Sequence, residues 1–89
     1  ESLPGLVAQC RSALELNNIE ELRQTAHTIK GSAGTAGAEI VADRASQINR
    51  TIRNGVSDRE VLVSFMEELE KESAVFLKLL KDTYRRHKT

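Results

Sequence analysis

Apolar residues recur every three or four positions along four stretches of this 89-residue chain, and short breaks separate the stretches. Such spacing places the apolar side chains along one side of an α-helix. The breaks contain Asn17-Asn18, Gly37 and Asn54-Gly55. Short connections between long helices favour antiparallel neighbours, and no stretch has the alternating pattern of a β-strand. The sequence therefore predicts an all-α fold, an antiparallel up-down four-helix bundle that forms a single domain over residues 1–89.

Helix boundaries follow from capping residues and helix breakers. Ser2 and Asn18 are suited to cap the first two helices, and Ser57 with Glu60 forms a capping box before the last one. The predicted helices run from about Leu3 to Leu16, from Ile19 to before Gly37, from about Ala38 to Arg53, and from Asp58 to near Tyr84. The predicted apolar seams are Leu3, Leu6, Val7, Cys10, Ala13 and Leu14; Ile19, Leu22, Ala26, Ile29 and Ala33; Val41, Ala45, Ile48 and Ile52; and Leu62, Phe65, Leu69, Phe76 and Leu79 or Leu80.

Charge and cysteine content narrow the functional class. The 13 basic and 13 acidic residues cancel, which disfavours nucleic acid as the main partner. A helix-turn-helix reading that uses Arg44, Arg50 and Arg53 is disfavoured for the same reason, and we expect these arginines to form a solvated helix face. Cys10 is the only cysteine, which excludes an internal disulfide and favours the cytoplasm. No apolar run is long enough to span a bilayer, so we expect no membrane contact by this domain.

A second face of the second helix does not belong to the core. Arg23, His27, Lys30, Gly31 and Gly34 are spaced four, three, one and three apart, so they lie together on a helix. We call these five residues the His27 face. The position of His27 is one step, roughly 100°, from the apolar seam, which predicts an exposed imidazole.

The composition of the His27 face favours a phosphoryl acceptor. Each glycine inside a helix costs about 1 kcal/mol relative to alanine, so Gly31 and Gly34 indicate that something must approach the backbone closely. A neutral imidazole is a competent nucleophile, and the ammonium of Lys30 suits a phosphate. A pure interaction bundle, with His27 as an ordinary surface residue, is the alternative. A metal site is disfavoured because His27 and His87 are the only histidines.

The segment from Ala26 to Gly34, AHTIKGSAG, followed by Gly37-Ala38, resembles the histidine-containing phosphotransfer (HPt) family. The family motif is a His, two residues, Lys-Gly, a stretch of small residues, and then Gly-Ala or Gly-Leu. The resemblance covers the chain from about Leu3 to Arg53, and it is strongest to the C-terminal HPt domains of bacterial tripartite sensor histidine kinases. Because the chain starts with Glu1 rather than Met, we expect it to be a fragment of such a protein.

The resemblance implies roles for individual residues. His27 matches the residue that is phosphorylated on Nε2. Lys30 matches the lysine that interacts with the phosphoryl oxygens, and Gly31 matches the small residue that admits the receiver domain. A polar amide on the next helix often lies beside the histidine in the family. Asn49 fits this position best, and Gln47 is the alternative. Arg23 and Gly34 are expected to assist docking, and Ile29 and Ala33 to border an apolar patch for the receiver.

The resemblance also implies a function. The domain is expected to accept a phosphoryl group from a receiver-domain aspartate onto His27 and to pass it to a response regulator. It needs no cofactor of its own, since the receiver supplies Mg²⁺, and it has no kinase activity of its own. The family often has a further short N-terminal helix, and we expect this chain to contain little of it. We expect a monomer that meets its receivers transiently, in the cytoplasm, with a parent protein anchored in the bacterial inner membrane.

Overall fold

The computed structural model describes the backbone of residues 2–88 and the side chains of residues 2–83. Four helices make up most of it: α1 (Leu3–Glu15), α2 (Ile19–Thr35), α3 (Glu39–Arg53) and α4 (Arg59–Lys88). No strand occurs in this part of the chain. The predicted all-α four-helix bundle is therefore confirmed, and α4 runs to Lys88, past its predicted end near Tyr84.

Three similar turns connect the helices. Each contains one residue with a left-handed φ: Asn17 at 57°, Gly37 at 84° and Gly55 at 85°. In each turn an amide donates to the carbonyl five residues earlier, as Ala38 does to Ala33 at 2.8 Å. This is the Schellman arrangement, which favours glycine because it has no Cβ. These turns reverse the chain within a few residues and set consecutive helices antiparallel.

The core lies where the four apolar seams meet. Helices adjacent in sequence pack together, and α1 also packs against α4, which closes the bundle. The buried apolar residues are Leu6, Val7, Cys10, Ala13, Leu14, Leu22, Ala26, Ile29, Ala33, Ala38, Val41, Ala45, Ile48, Leu62, Met66 and Leu69. Burial raises the pKa of the Cys10 thiol to about 12, because the thiolate is poorly solvated inside the bundle.

Helix α4 departs from the predicted seam. Its 30 residues extend over about 45 Å at the usual helical rise, whereas α1 has only 13 residues. Leu79 and Leu80, the two candidates for the last position of the predicted seam, are both exposed, so that position of the prediction is wrong. Met66 and Ser73, absent from the predicted seam, are buried instead. A cleft of about 250 Å³ separates the outer part of α4 from the α2–α3 turn.

The helix caps are partly as predicted. The Oδ1 of Asn18 accepts the Glu21 amide at 3.3 Å and caps α2. Ser2 stands at the N-cap of α1, but its side chain makes no capping hydrogen bond. The capping box predicted from Ser57 is wrong, because Asp58 precedes the first residue of α4 and its Oδ1 accepts the Glu60 amide at 2.9 Å.

Polar contacts fasten α1 to α4. Arg11 donates from Nε and Nη2 to the two carboxylate oxygens of Glu70, at 2.9 and 2.6 Å. This paired hydrogen bond raises the pKa of Arg11 above its ordinary value. Nη1 of Arg59 donates to the carbonyl of Leu14 at 2.9 Å, which satisfies one of the open carbonyls at the end of α1.

The predicted solvated arginine row on α3 holds in part. Arg50 and Arg53 are exposed, but Arg44 is half-buried. Nη1 of Arg44 donates to Asp43 at 3.2 Å, and its Nε lies 3.8 Å from a carboxylate oxygen of Glu68 on α4. Arg44 therefore belongs to the α3–α4 contact. None of the helices in the described part of the chain combines the length and apolar character that crossing a membrane requires.

Candidate functional site

His27 lies near the middle of α2, with its side chain exposed. The preceding residue, Ala26, is completely buried in the core, which fixes the rotation of the helix about its axis. The predicted exposure of His27 is confirmed. Asn18 caps α2 about two turns before His27, so the imidazole projects from the interior of a capped, continuous helix rather than from a loop.

The surface next to His27 is open. Lys30, Gly31 and Gly34 are all exposed on the same side of α2. A Cβ placed on Gly31 or Gly34 would meet no atom within 4 Å beyond the local helix backbone. Neither glycine has a positive φ, so neither the backbone conformation nor the internal packing requires it. The cleared surface is therefore available to a molecule that approaches from outside.

Arg23, one turn before His27, is engaged with its own helix. Its Nε donates to Glu20 Oε1 at 3.1 Å, and its Nη2 also contacts that carboxylate. The pairing raises the pKa of Arg23 above its ordinary value and lowers that of Glu20. Gln24 donates a further hydrogen bond to Glu20 at 3.0 Å. Lys30 makes no ion pair with the side chains of residues 2–83, so it is the cation beside His27 that an incoming anion can engage.

Asn49 joins α3 to the backbone of α2 at the His27 turn. Its side chain is 5% exposed, and Nδ2 donates to the carbonyl oxygen of Arg23 at 3.1 Å. In a regular helix the same carbonyl also accepts the amide of the residue four positions later, which is His27. Asn49 thus acts on the α2 backbone at the turn that carries the imidazole. Gln47 is half-buried on α3, and no hydrogen bond of its side chain occurs among the described residues.

The predicted apolar docking patch is not at Ile29 and Ala33. Both side chains are buried, at 0% and 1% exposure. They belong to the seam that faces α1 and α3, so a partner cannot touch them without opening the bundle. The assignment to the patch edge is wrong because residues two and six positions after His27 are rotated away from it on a helix.

A groove beside the His27 face was not foreseen from the sequence. It has a volume of about 320 Å³ and lies between α2 and α3. We call it the Gly34 groove. Its lining residues are Lys30, Gly34, Glu39, Ala42, Asp43 and Ser46. The α3 members are spaced three, one and three apart, which places them on one side of a helix, but the orientation of α3 against α2 decides that they face Gly34.

The described residues contain no cluster of three or more His, Cys, Asp or Glu side chains placed to hold a metal ion. The groups that the site itself presents are the imidazole of His27, the ammonium of Lys30 and the bare backbone at Gly31. Together they offer a nucleophile, a positive charge and access, which are the features that acceptance of a phosphoryl group requires.

Comparison with known families agrees with this chemistry. A model of the Hpt domain matches residues 1–83. Comparison with curated proteins and with solved structures yields no match. The matched segment includes α1, α2 and α3, α4 as far as residue 83, the His27 face and the Gly34 groove. The chain therefore belongs to the HPt family, whose members carry out histidine phosphotransfer with receiver domains in phosphorelays.

Proposed function

We propose that His27 is the phosphorylated residue and that it relays a phosphoryl group from a receiver-domain aspartate to a response regulator. The observation that carries this proposal is an exposed imidazole at the centre of a helix face that two glycines leave bare. His27 is the one histidine among the described side chains, residues 2–83. The family membership supports the reaction class, and the exposed position of His27 on α2 supports the choice of residue.

The proposed transfer is a direct exchange of bonds to phosphorus. The lone pair on Nε2 of a neutral His27 attacks the phosphorus of the receiver's acyl phosphate in line. The new N–P bond forms as the P–O bond to aspartate breaks, and the carboxylate keeps that electron pair. The imidazole retains its proton on Nδ1. The reverse exchange with a second receiver discharges the domain.

Both partners supply positive charge to the phosphoryl group that is transferred. The ammonium of Lys30, three residues after His27, interacts with the phosphoryl oxygens as they leave the receiver. We propose that the Mg²⁺ for the reaction is held by the receiver and that this domain holds no cofactor. Gly31 leaves room for the receiver to bring its aspartate to within bonding range of the imidazole.

We place the domain in a larger protein, at the C-terminal end of a bacterial sensor histidine kinase. It then acts as a phosphocarrier without kinase activity of its own, as a monomer, on the cytoplasmic side of the membrane. The neutral net charge supports a protein partner rather than nucleic acid.

Phosphoryl transfer in vitro tests the assignment. A panel of purified receivers, each charged with a labelled phosphoryl group, is mixed with the wild-type domain, with His27→Gln, and with His87→Gln as a matched histidine control. We expect label on the wild type and on His87→Gln but not on His27→Gln. The label should be lost in acid and retained in base, as for a phosphoramidate.

Phosphorylation by the small donor phosphoramidate serves as a second readout that needs no docking. Transfer of label to His27→Gln would assign another acceptor. No label on the wild type from any receiver would remove the relay function and favour a bundle that only binds other proteins.

A further inference from the structure

The Gly34 groove continues the surface that a receiver must cover to reach His27. Lys30 belongs both to the His27 face and to the groove, and Gly34 lies seven residues after His27 on the same helix. At the helical rise this separation is about 10 Å, well within the footprint of a domain docked over the imidazole. The inference below rests on the proposed function and concerns which receivers the site accepts.

The floor of the groove consists of small residues from both helices. Gly34 comes from α2, and Ala42 and Ser46 come from α3. A Cβ at Gly34 would meet no neighbour within 4 Å, so the bundle does not need a glycine there. Space of this size beside bare backbone fits a protruding apolar side chain of a partner.

The rim of the groove carries charges of opposite sign on its two sides. Lys30 stands on the α2 side, towards His27 and the incoming phosphoryl group. Glu39 and Asp43 stand on the α3 side, one turn apart, and both are exposed. The phosphoryl end of the surface is thus basic and the α3 rim is acidic.

Internal roles do not account for both acids. Glu39 lies in the first turn of α3, where the helix dipole favours a negative charge. Asp43 lies a turn further along and makes a 3.2 Å hydrogen bond with the adjacent Arg44. An exposed pair of this kind contributes little to stability, and its carboxylate remains accessible to a second cation.

We propose that Glu39 and Asp43 are specificity-determining residues that bind a lysine or arginine on the receiver's docking surface while an apolar neighbour of that cation enters the Gly34 groove. The occupant is therefore a receiver whose docking surface joins an apolar side chain to a basic one. A receiver that presents an acidic residue at this point is repelled by the rim.

Charge reversal at the rim tests the proposal. A receiver that charges the wild-type domain is used at low salt, and initial transfer rates are measured against receiver concentration for Glu39→Lys/Asp43→Lys. We expect kcat/KM to fall about tenfold or more, with the rate at saturating receiver nearly unchanged, because the rim acts on encounter and docking. The loss should shrink at about 0.3 M salt, where exposed charges are screened.

Two controls distinguish loss of the acidic rim from a nonspecific effect of added positive charge or damage to His27. Glu67→Lys makes the same type of charge change at an exposed site on α4, and we expect it to keep kcat/KM within about twofold of the wild type. Phosphorylation of His27 by phosphoramidate should be equal in all variants, because this donor needs no docking surface.

A bulky residue tests the floor of the groove in the same assay. Gly34→Leu should lower kcat/KM for the receiver, whereas Ala8→Leu, at an exposed site on α1, should not. If the wild type accepts phosphoryl groups but the rim variant behaves like Glu67→Lys, the specificity proposal is wrong and the relay function stands. If no receiver charges the wild type, the relay function itself fails.

Discussion

The two faces of α2 differ in burial and in the type of side chain they carry. On the inner face Leu22, Ala26, Ile29 and Ala33 are at most 1% exposed and fill the core. On the outer face His27, Lys30, Gly31 and Gly34 are exposed, and a Cβ added at either glycine would meet nothing within 4 Å beyond the local helix backbone. Packing explains the inner residues, whereas it accounts for neither glycine of the outer face.

The glycines make this difference quantitative. A helical glycine costs about 1 kcal/mol relative to alanine, and at Gly31 and Gly34 nothing inside the fold offsets that cost. The two glycines weaken the helix without straining its backbone. They would leave room for the backbone of another protein to approach closely. We therefore expect substitutions on the inner face to change the free energy of unfolding and substitutions on the outer face to change transfer from a receiver. The following experiments test this difference.

The largest expected effect is the protection of the buried thiol. Burial raises the pKa of Cys10 from 9.0 to about 12, so at pH 8 the folded protein holds about 10³-fold less thiolate than the unfolded chain. We expect a thiol reagent such as DTNB to label the native domain at least about 10²-fold more slowly than the denatured one. Equal labelling rates would mean that α1 does not close over the core.

Truncation of the inner face should be costly while truncation of the adjacent outer position is not. Ile29→Ala removes a fully buried side chain and is expected to lower the free energy of unfolding by about 2–5 kcal/mol. Lys30→Ala, one residue along, should change it by less than about 0.5 kcal/mol. Urea denaturation followed by circular dichroism measures both. Similar losses in the two variants would contradict the division of α2 into two faces.

Asn49 connects the two faces, because it is buried on α3 yet bonds the backbone of the His27 turn. Asn49→Ala is expected to cost about 1–3 kcal/mol, since the hydrogen bond to the Arg23 carbonyl and the buried packing are both lost. Gln47→Ala is the matched control on the same helix and should cost less than about 1 kcal/mol. If the two amides cost the same, the contact between Asn49 and α2 contributes nothing to stability.

The smallest expected effect has the opposite sign. Gly31→Ala should raise the free energy of unfolding by about 0.5–1 kcal/mol, because alanine is the better helix former and its Cβ enters open space. The same change should slow transfer from a receiver and leave phosphorylation by phosphoramidate unaltered. Thermal melts and the two transfer assays supply the readouts. A gain in stability without slower receiver transfer would show that Gly31 is not needed for docking.

Most of the fold is predictable from local sequence signals. The spacing of apolar residues located four helices, and Asn18, Gly37 and Gly55 marked where they begin or end. These signals are local, because capping and left-handed φ values depend on a few neighbouring residues. The predicted exposure of His27 followed from the same logic, since a residue next to a buried seam position must be rotated away from it.

Tertiary structure decided what depends on contacts between helices. Periodicity predicts Leu79 or Leu80 at the end of the α4 seam, but α4 is far longer than the other helices and both residues are exposed. The sequence predicts Ile29 and Ala33 at the edge of a docking patch, although the packing of α2 buries both. The bond from Asn49 to Arg23 and the groove at Gly34 arise from the way α3 lies against α2. One-dimensional periodicity fixes which side of a helix is apolar, whereas the rotation and offset of two packed helices fix which of their polar residues meet.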